Sequence, residues 1–149
     1  MAILLDTSIL GRLANSSDPL FAIADGALSR LRLRGEVLHL TPQNYVEFWN
    51  VATRPVAVNG LGLTPAETKF KADVFAASFP LLDDNPAIFP AWLALVDALG
   101  VIGKQVHDAR LAACCHVHGI DAILTFNVPH FARFSTFGPA LRVLDPATV

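Results

Sequence analysis

Cysteine is nearly missing from this chain, and the two that occur, Cys114 and Cys115, are adjacent, which leaves no disulfide framework. Charge is scarce as well. Only 16% of residues are charged, and the formal balance of -2 gives no global electrostatic reason to expect a nucleic-acid surface. Any contact with a polyanion must then come from local Arg and Lys or from a bound cation. No G-x-G-x-x-G turn follows the first apolar run, where DTSILG stands instead, so no dinucleotide cofactor is expected. No basic segment precedes that run and Asp6 interrupts it, which argues against a signal peptide. The longest apolar stretch, residues 87–103, contains Pro90 and Asp97, so a buried or interfacial helix is expected rather than a membrane span. The expected location is cytoplasmic.

What the chain has in excess is apolar side chain: 53% of its residues are hydrophobic, with a mean hydropathy of +0.47. At 149 residues this implies one domain, spanning 1–149, with a sizeable core and apolar surface left over for a lasting protein interface.

Capping and breaking residues divide the chain into alternating elements. Residues 2–5 read as a buried strand and 8–14 as a short helix. A helix over 18–34 has Asp18 as its cap, Pro19 in its first turn and Gly35 as its stop. Residues 37–40 form a second strand. Thr41 and Pro42 then open a helix that Pro55 ends, and 56–63 read as a loop. A helix opened by Thr64 and Pro65 ends near Pro80, and Leu81 and Leu82 form a minimal third strand. Asn85 and Pro86 open the apolar helix, 107–118 forms another closed by Gly119, and 120–125 is a buried strand. A helical turn at 128–134 and a strand at 141–144 complete the chain. This alternation predicts an α/β fold, a three-layer α/β/α sandwich around a mostly parallel sheet, with any site beyond the carboxyl ends of the strands.

That rule brings particular side chains together. Asp6 ends the first strand, Glu47 lies in the helix after the second, Asp108 starts the helix feeding the strand at 120–125, and Asn127 lies just past that strand. A helix of about 12 residues is about 18 Å long, as is a strand of five or six, so the helix start returns to the strand's far end. Three carboxylates there would repel by about 3 kcal/mol per pair at about 5 Å and an effective dielectric of about 20. A cation resolves this, and all-oxygen ligation by Asp6, Glu47 and Asp108 suits Mg²⁺ or Mn²⁺. Ser8 and Thr125 are placed to hydrogen-bond the carboxylates. Each acid also has an ordinary reading: Asp6 and Asp108 as helix caps, Glu47 as an exposed helix residue.

The segments LLDTSIL, NYVEFWNVATRP, VHDARLAA and GIDAILTFNVPHF, in this order, resemble the PIN-domain nucleases, especially the VapC-type toxins of toxin–antitoxin pairs. The resemblance implies a metal-dependent endoribonuclease in which Asp6, Glu47 and Asp108 hold Mg²⁺ or Mn²⁺ and water attacks an RNA phosphodiester, leaving a 5′-phosphate and a 3′-hydroxyl. It also implies a homodimer and a cognate antitoxin protein that covers the site. Family members often carry a fourth acid where this chain has Asn127 and, three residues on, His130. An Asn can ligate through its carbonyl or orient water but adds no charge, so one tightly held ion is expected.

Arg54, Lys104 and His130 flank these motifs as substrate-binding candidates. Arg30, Arg32 and Arg34 read as a solvated helix face, and Arg110, two residues past Asp108, as a structural pairing residue. Cys114, Cys115, His116 and His118 suggest zinc, but helical spacing splits them between faces, which favours core packing for the cysteines and a helix-end role for His118. Phe126, Phe131, Phe134 and Phe137 are explained by core packing more simply than by base stacking. An aspartyl-nucleophile phosphatase would use Asp6 but leaves Glu47 and Asp108 unexplained. The non-enzyme alternative is a catalytically lapsed PIN-like RNA-binding or protein-interaction module.

Overall fold

The computed structural model describes all residues, 1–149. Four strands, β1 (Ala2–Leu5), β2 (Val37–His39), β3 (Ala122–Leu124) and β4 (Arg142–Leu144), form one sheet in the order β2-β1-β3-β4, every neighbour parallel. Seven helices cover it: α1 (Thr7–Leu13), α2 (Phe21–Leu33), α3 (Pro42–Thr53), α4 (Pro65–Ser78), α5 (Ile88–Leu99), α6 (Gln105–His118) and α7 (Val128–Ala132). The expected three-layer α/β sandwich is therefore what forms.

The pleat assigns side chains to the two layers. Ile3 and Leu5 of β1, with Ala122 and Leu124 of β3, pack in a core with Ile9, Leu28, Phe48 and Phe75 from α1 to α4. Leu4 and Ile123 point the other way, into a second core with Leu95, Leu111, Cys115 and Phe131 from α5 to α7. Successive strand residues face opposite sides, so continuous apolar runs are what a doubly covered parallel sheet demands.

The expected boundaries shift where side chains take other partners. Asp18 does not cap α2: its carboxylate pairs with Arg12 at 2.6 Å and accepts from the Leu20 amide at 2.8 Å, so the helix starts at Phe21. Asn85 likewise turns the chain through the Ala87 amide, and α5 starts at Ile88. The third strand shrinks to a single bridge between Leu40 and Leu81, since Pro80 has no N–H with which to extend the ladder. Gly103, at φ +60, sets a turn that starts α6 at Gln105, which leaves Asp108 inside the first turn rather than at the cap. The arginine stretch is not simply solvated. Arg30 donates to the Val149 and Pro146 carbonyls, and Arg32 donates to the Ser78 carbonyl while lying 4.9 Å over the Phe79 ring.

Other expected features take the form their chemistry requires. Thr41 caps α3 with a reciprocal box completed by Asn44, and Thr64 caps α4 with Glu67. Cys114 and Cys115 are both buried, in different clusters, and desolvation raises the Cys114 thiol to about 11 and Cys115 further. Phe131 and Phe134 are fully buried. His118 contacts the Asp83 carbonyl at 2.9 Å, and Arg110 bridges to Asp84 at 3.1 Å.

The segment after α3 folds back on itself: the Gly60 amide donates to Pro55, Leu61 to Val51, Gly62 to Arg54 and Leu63 to Ala52. Gly60 lies so close to the chain that a Cβ there would sit 1.8 Å from the Arg54 carbonyl oxygen. Backbone cannot yield as a flexible side chain does. Gly60→Ala is expected to destabilise the fold by about 3 kcal/mol, the upper range for overpacking, and urea unfolding measures this directly.

Candidate active site

Because all four strands are parallel, their carboxyl ends share one edge. The ladder runs one residue beyond the strands there, with the Asp6 amide donating to Leu124 at 2.9 Å and the Thr125 amide to Leu144 at 3.0 Å. The chain thus fixes Asp6 and Thr125 side by side before any side chain is considered. A crevice of about 770 Å³ opens above this edge, and Asp6, Glu47, Asp108 and Asn127 all line it.

Asp6 is only 4% exposed, and three donors meet its carboxylate. Oδ1 accepts from the Thr7 amide at 2.8 Å, and Oδ2 accepts from the Ser8 hydroxyl at 2.7 Å and the Thr125 hydroxyl at 2.8 Å. Capping and site-building coexist in this residue: it caps α1 with one oxygen while the other faces Ser8 and Thr125. Each hydroxyl has one proton, and its acceptor side is already filled. The Phe126 amide donates to Ser8 at 3.2 Å and the Asn127 amide to Thr125 at 2.9 Å, so both protons are committed to Asp6.

Glu47 is arranged by the same logic from α3. Its Oε1 accepts from the Thr7 hydroxyl at 2.9 Å, and that hydroxyl accepts from Asn44 Nδ2 at 3.2 Å. Asn44, fully buried, admits one orientation: Nδ2 also donates to the Leu5 carbonyl at 3.0 Å, and Oδ1 accepts from the Thr41 amide at 2.8 Å. The Thr7 proton is thereby directed to Glu47. Burial first, and then the nearby Asp6 charge, raise the Glu47 carboxyl above its ordinary value against the pull of Thr7.

Asp108 projects from the first turn of α6, where the helix dipole favours its charge. Burial and then Asp6 nonetheless push its carboxyl up to about 6. The His130 ring of α7, 3.6 Å from Oδ2, opposes that shift. Asn127 precedes α7 without capping it through its side chain.

The crevice mixes these acids with cations. Arg54 and Lys104 line it as the flanking motifs suggested, and so do Arg12 and His107. Arg12, Thr7, Gln43, Asn44 and His107 were not singled out from sequence. Asn44 had a local signal, the Thr41-x-x-Asn44 capping spacing, and Gln43 had one in lying a helical turn before Glu47. Thr7 meets its partners 37 and 40 residues away, and Arg12 on α1 and His107 on α6 reach the crevice only through the fold.

No three His, Cys, Asp or Glu side chains stand close enough together to hold a metal ion between them. The carboxylate oxygens of Asp6 and Glu47, held by hydroxyls, and of Asp108 line the shared space together with the His107 and His130 rings. Carboxylate oxygens fit Mg²⁺ or Mn²⁺, which keep several waters and accept phosphate oxygens.

No curated protein gives a significant match. Among solved structures, the chain is similar to DNA-bound VapBC from Salmonella typhimurium, with 16% identity and a TM-score of 0.70 over 98% of each chain. It is also similar to VapBC-1 from nontypeable Haemophilus influenzae, with 22% identity and a TM-score of 0.69 over 99% of this chain and 100% of that one. A third similar structure is VapC20 from Mycobacterium tuberculosis, a sarcin-ricin loop cleaving toxin, with 19% identity and a TM-score of 0.63 over 87% and 93%. At these identities the shared property is the fold. The PIN domain family model matches residues 3–135, from the first strand past the last residue of the crevice, and the chain belongs to the PIN domain family.

Proposed function

We propose that this PIN-domain chain is a metal-dependent endoribonuclease, the toxin of a toxin–antitoxin pair. The observation that carries the reading is the gathering of Asp6, Glu47 and Asp108 from three separate elements onto one crevice, where burial first, and then the charges of Asp6 and Glu47, raise Asp108 to about 6. A fold gains nothing in stability from placing three acids together. The arrangement supports a site selected for binding a cation.

In this reading Asp6, Glu47 and Asp108 hold Mg²⁺ or Mn²⁺, with Ser8 and Thr125 orienting Asp6 and Thr7 orienting Glu47. The ion supplies charge that polarises a phosphodiester oxygen and makes water more acidic. Asn127 contributes a neutral amide that orients water or substrate without adding repulsion. His130 screens Asp108. Arg54 and Lys104 meet the RNA backbone, supplying locally the positive charge that the chain lacks overall. The lapsed-module alternative leaves three supported acids without a use.

The antitoxin and homodimer belong to the same proposal. VapC20, similar in fold, is a toxin, and other structures of this fold are VapBC complexes. Val46 and Trp49 on α3, with Phe70 and Val74 on α4, are exposed apolar side chains that suit protein partners. No helix is long and apolar enough to cross a membrane. A cytoplasmic site of action accords with an RNA substrate.

The full chain, freed of any antitoxin, is expected to cleave RNA with Mg²⁺ or Mn²⁺ and not with EDTA. Asp6→Asn should slow this by more than about 100-fold, since losing a ligand outweighs losing its hydrogen-bond partner. Cleavage by the Asp6, Glu47 and Asp108 triple amide variant equal to that of the native chain would falsify the reading.

A pH dependence follows from Asp108. Its carboxyl is raised from 3.8 to about 6, so the folded chain holds a proton that the unfolded chain has released, and stability falls as pH rises between these values. In EDTA the melting temperature of Asp108→Asn should therefore exceed that of the native chain by more at neutral pH than at about pH 5, the lower part of the window. Thermal melts at both pH values test it, and a difference that shrinks on going to neutral pH contradicts it. Asn127→Asp, restoring a fourth acid, should add or tighten a second divalent site in calorimetry; unchanged stoichiometry and affinity would count against that assignment.

A further inference from the structure

Glu47 and Asp108 come from helices that belong to different layers. α3 packs with the core on one face of the sheet, through Phe48 and Ala52, and α6 with the core on the other, through Ala109, Leu111 and Ala112. The two acids therefore reach the crevice from opposite faces of the sheet.

One side chain spans the gap. Gln43, at the start of α3 and 9% exposed, donates from Nε2 to the His107 carbonyl of α6 at 2.8 Å. Its Oε1 accepts from Arg110 Nη1, also of α6, at 3.1 Å. These two are the only side-chain hydrogen bonds that join α3 and α6. The amide admits one orientation, because a guanidinium offers only donors and a carbonyl only accepts. Arg110 is itself held, with Nη2 donating to Asp84 at 3.1 Å, so the brace is anchored at its far end.

The attachment points bear directly on the acids. Gln43 precedes Glu47 by four residues, one helical turn, and shares its face. The His107 carbonyl belongs to the residue immediately before Asp108. We infer that Gln43 is a positioning residue that, oriented by Arg110, sets the separation of Glu47 and Asp108 and thereby the fit of the crevice to a divalent cation. The inference rests on the proposed metal-binding reading. A glutamate here would keep the Arg110 contact but face the His107 carbonyl with no donor, whereas the glutamine serves both.

The test is Mn²⁺ titration of the full-length chain by calorimetry, with metal-free thermal melts recorded alongside. Gln43→Met keeps the length of the side chain and removes both hydrogen bonds. It is expected to weaken Mn²⁺ binding by about 10-fold or more, the usual effect of losing a group that orients a ligand. Arg110→Lys keeps the charge but loses the fork that reaches Gln43 and Asp84 together. It should weaken binding several-fold, and the double variant should be no weaker than Gln43→Met alone. A merely structural residue would lower the melting temperature and leave the affinity of the folded chain unchanged; that result overturns the inference. If Gln43→Met does not fold, Arg110→Lys decides, and unchanged Mn²⁺ affinity there overturns it equally. A native chain that binds no Mn²⁺ refutes the metal-binding reading itself, an outcome distinct from the failure of the brace.

Discussion

Removing carboxylates from water at the end of a buried sheet is unfavourable unless donors replace the lost solvent, and the rest of this site is organised around that constraint. Three hydroxyl protons answer it. Ser8 and Thr125 give theirs to Asp6, and Thr7 gives its proton to Glu47. In each case a backbone or amide N–H occupies the hydroxyl's acceptor side, so the direction of donation is set by the surrounding chain. Preorganised donors of this kind need no reorientation when charge arrives, which is the property a metal or phosphate site requires.

The helices then divide the work by layer. α1 and α3 supply Thr7, Ser8, Asn44 and Glu47 from one side of the sheet, and α6 supplies Asp108 from the other. Asp108 has fewer donors than Asp6 and is the acid displaced furthest, with His130 as partial compensation. The site is thus well satisfied on the β1 side and strained on the α6 side. The low charge content belongs to the same picture: six of the 24 charged residues line this crevice, while both faces of the sheet are filled by aliphatic and aromatic side chains.

Residues of the crevice were legible in the sequence because local chemistry marks a start or an end of the element that carries or precedes each. Asp6 ends an apolar run, Glu47 follows the Thr41–Pro42 start, and Asn127 follows the strand that contains Ile123. The layers were legible because capped helices alternate with short apolar runs. Asp18 and Asn85 misled because an acidic or amide side chain before a proline reads as a helix cap, while both here close turns just ahead of the helix. Gln43 carried no signal of reach: its partners, His107 and Arg110, lie 64 and 67 residues away. Local pattern identifies which residues want hydrogen bonds, and only topology identifies with whom.

The pleat of β1 has one more consequence, for how such a chain tolerates insertion and deletion. Ile3 and Leu5 face one layer and Leu4 the other, and Asp6 follows them with the ladder still running. Gain or loss of one residue in β1 would exchange the layers that these side chains enter and turn Asp6 away from Ser8 and Thr125. The connections at the amino edge of the sheet, opposite the crevice, where the turns at Gly35 and Gly119 lead into β2 and β3, carry no such register and would absorb a change of length at less cost.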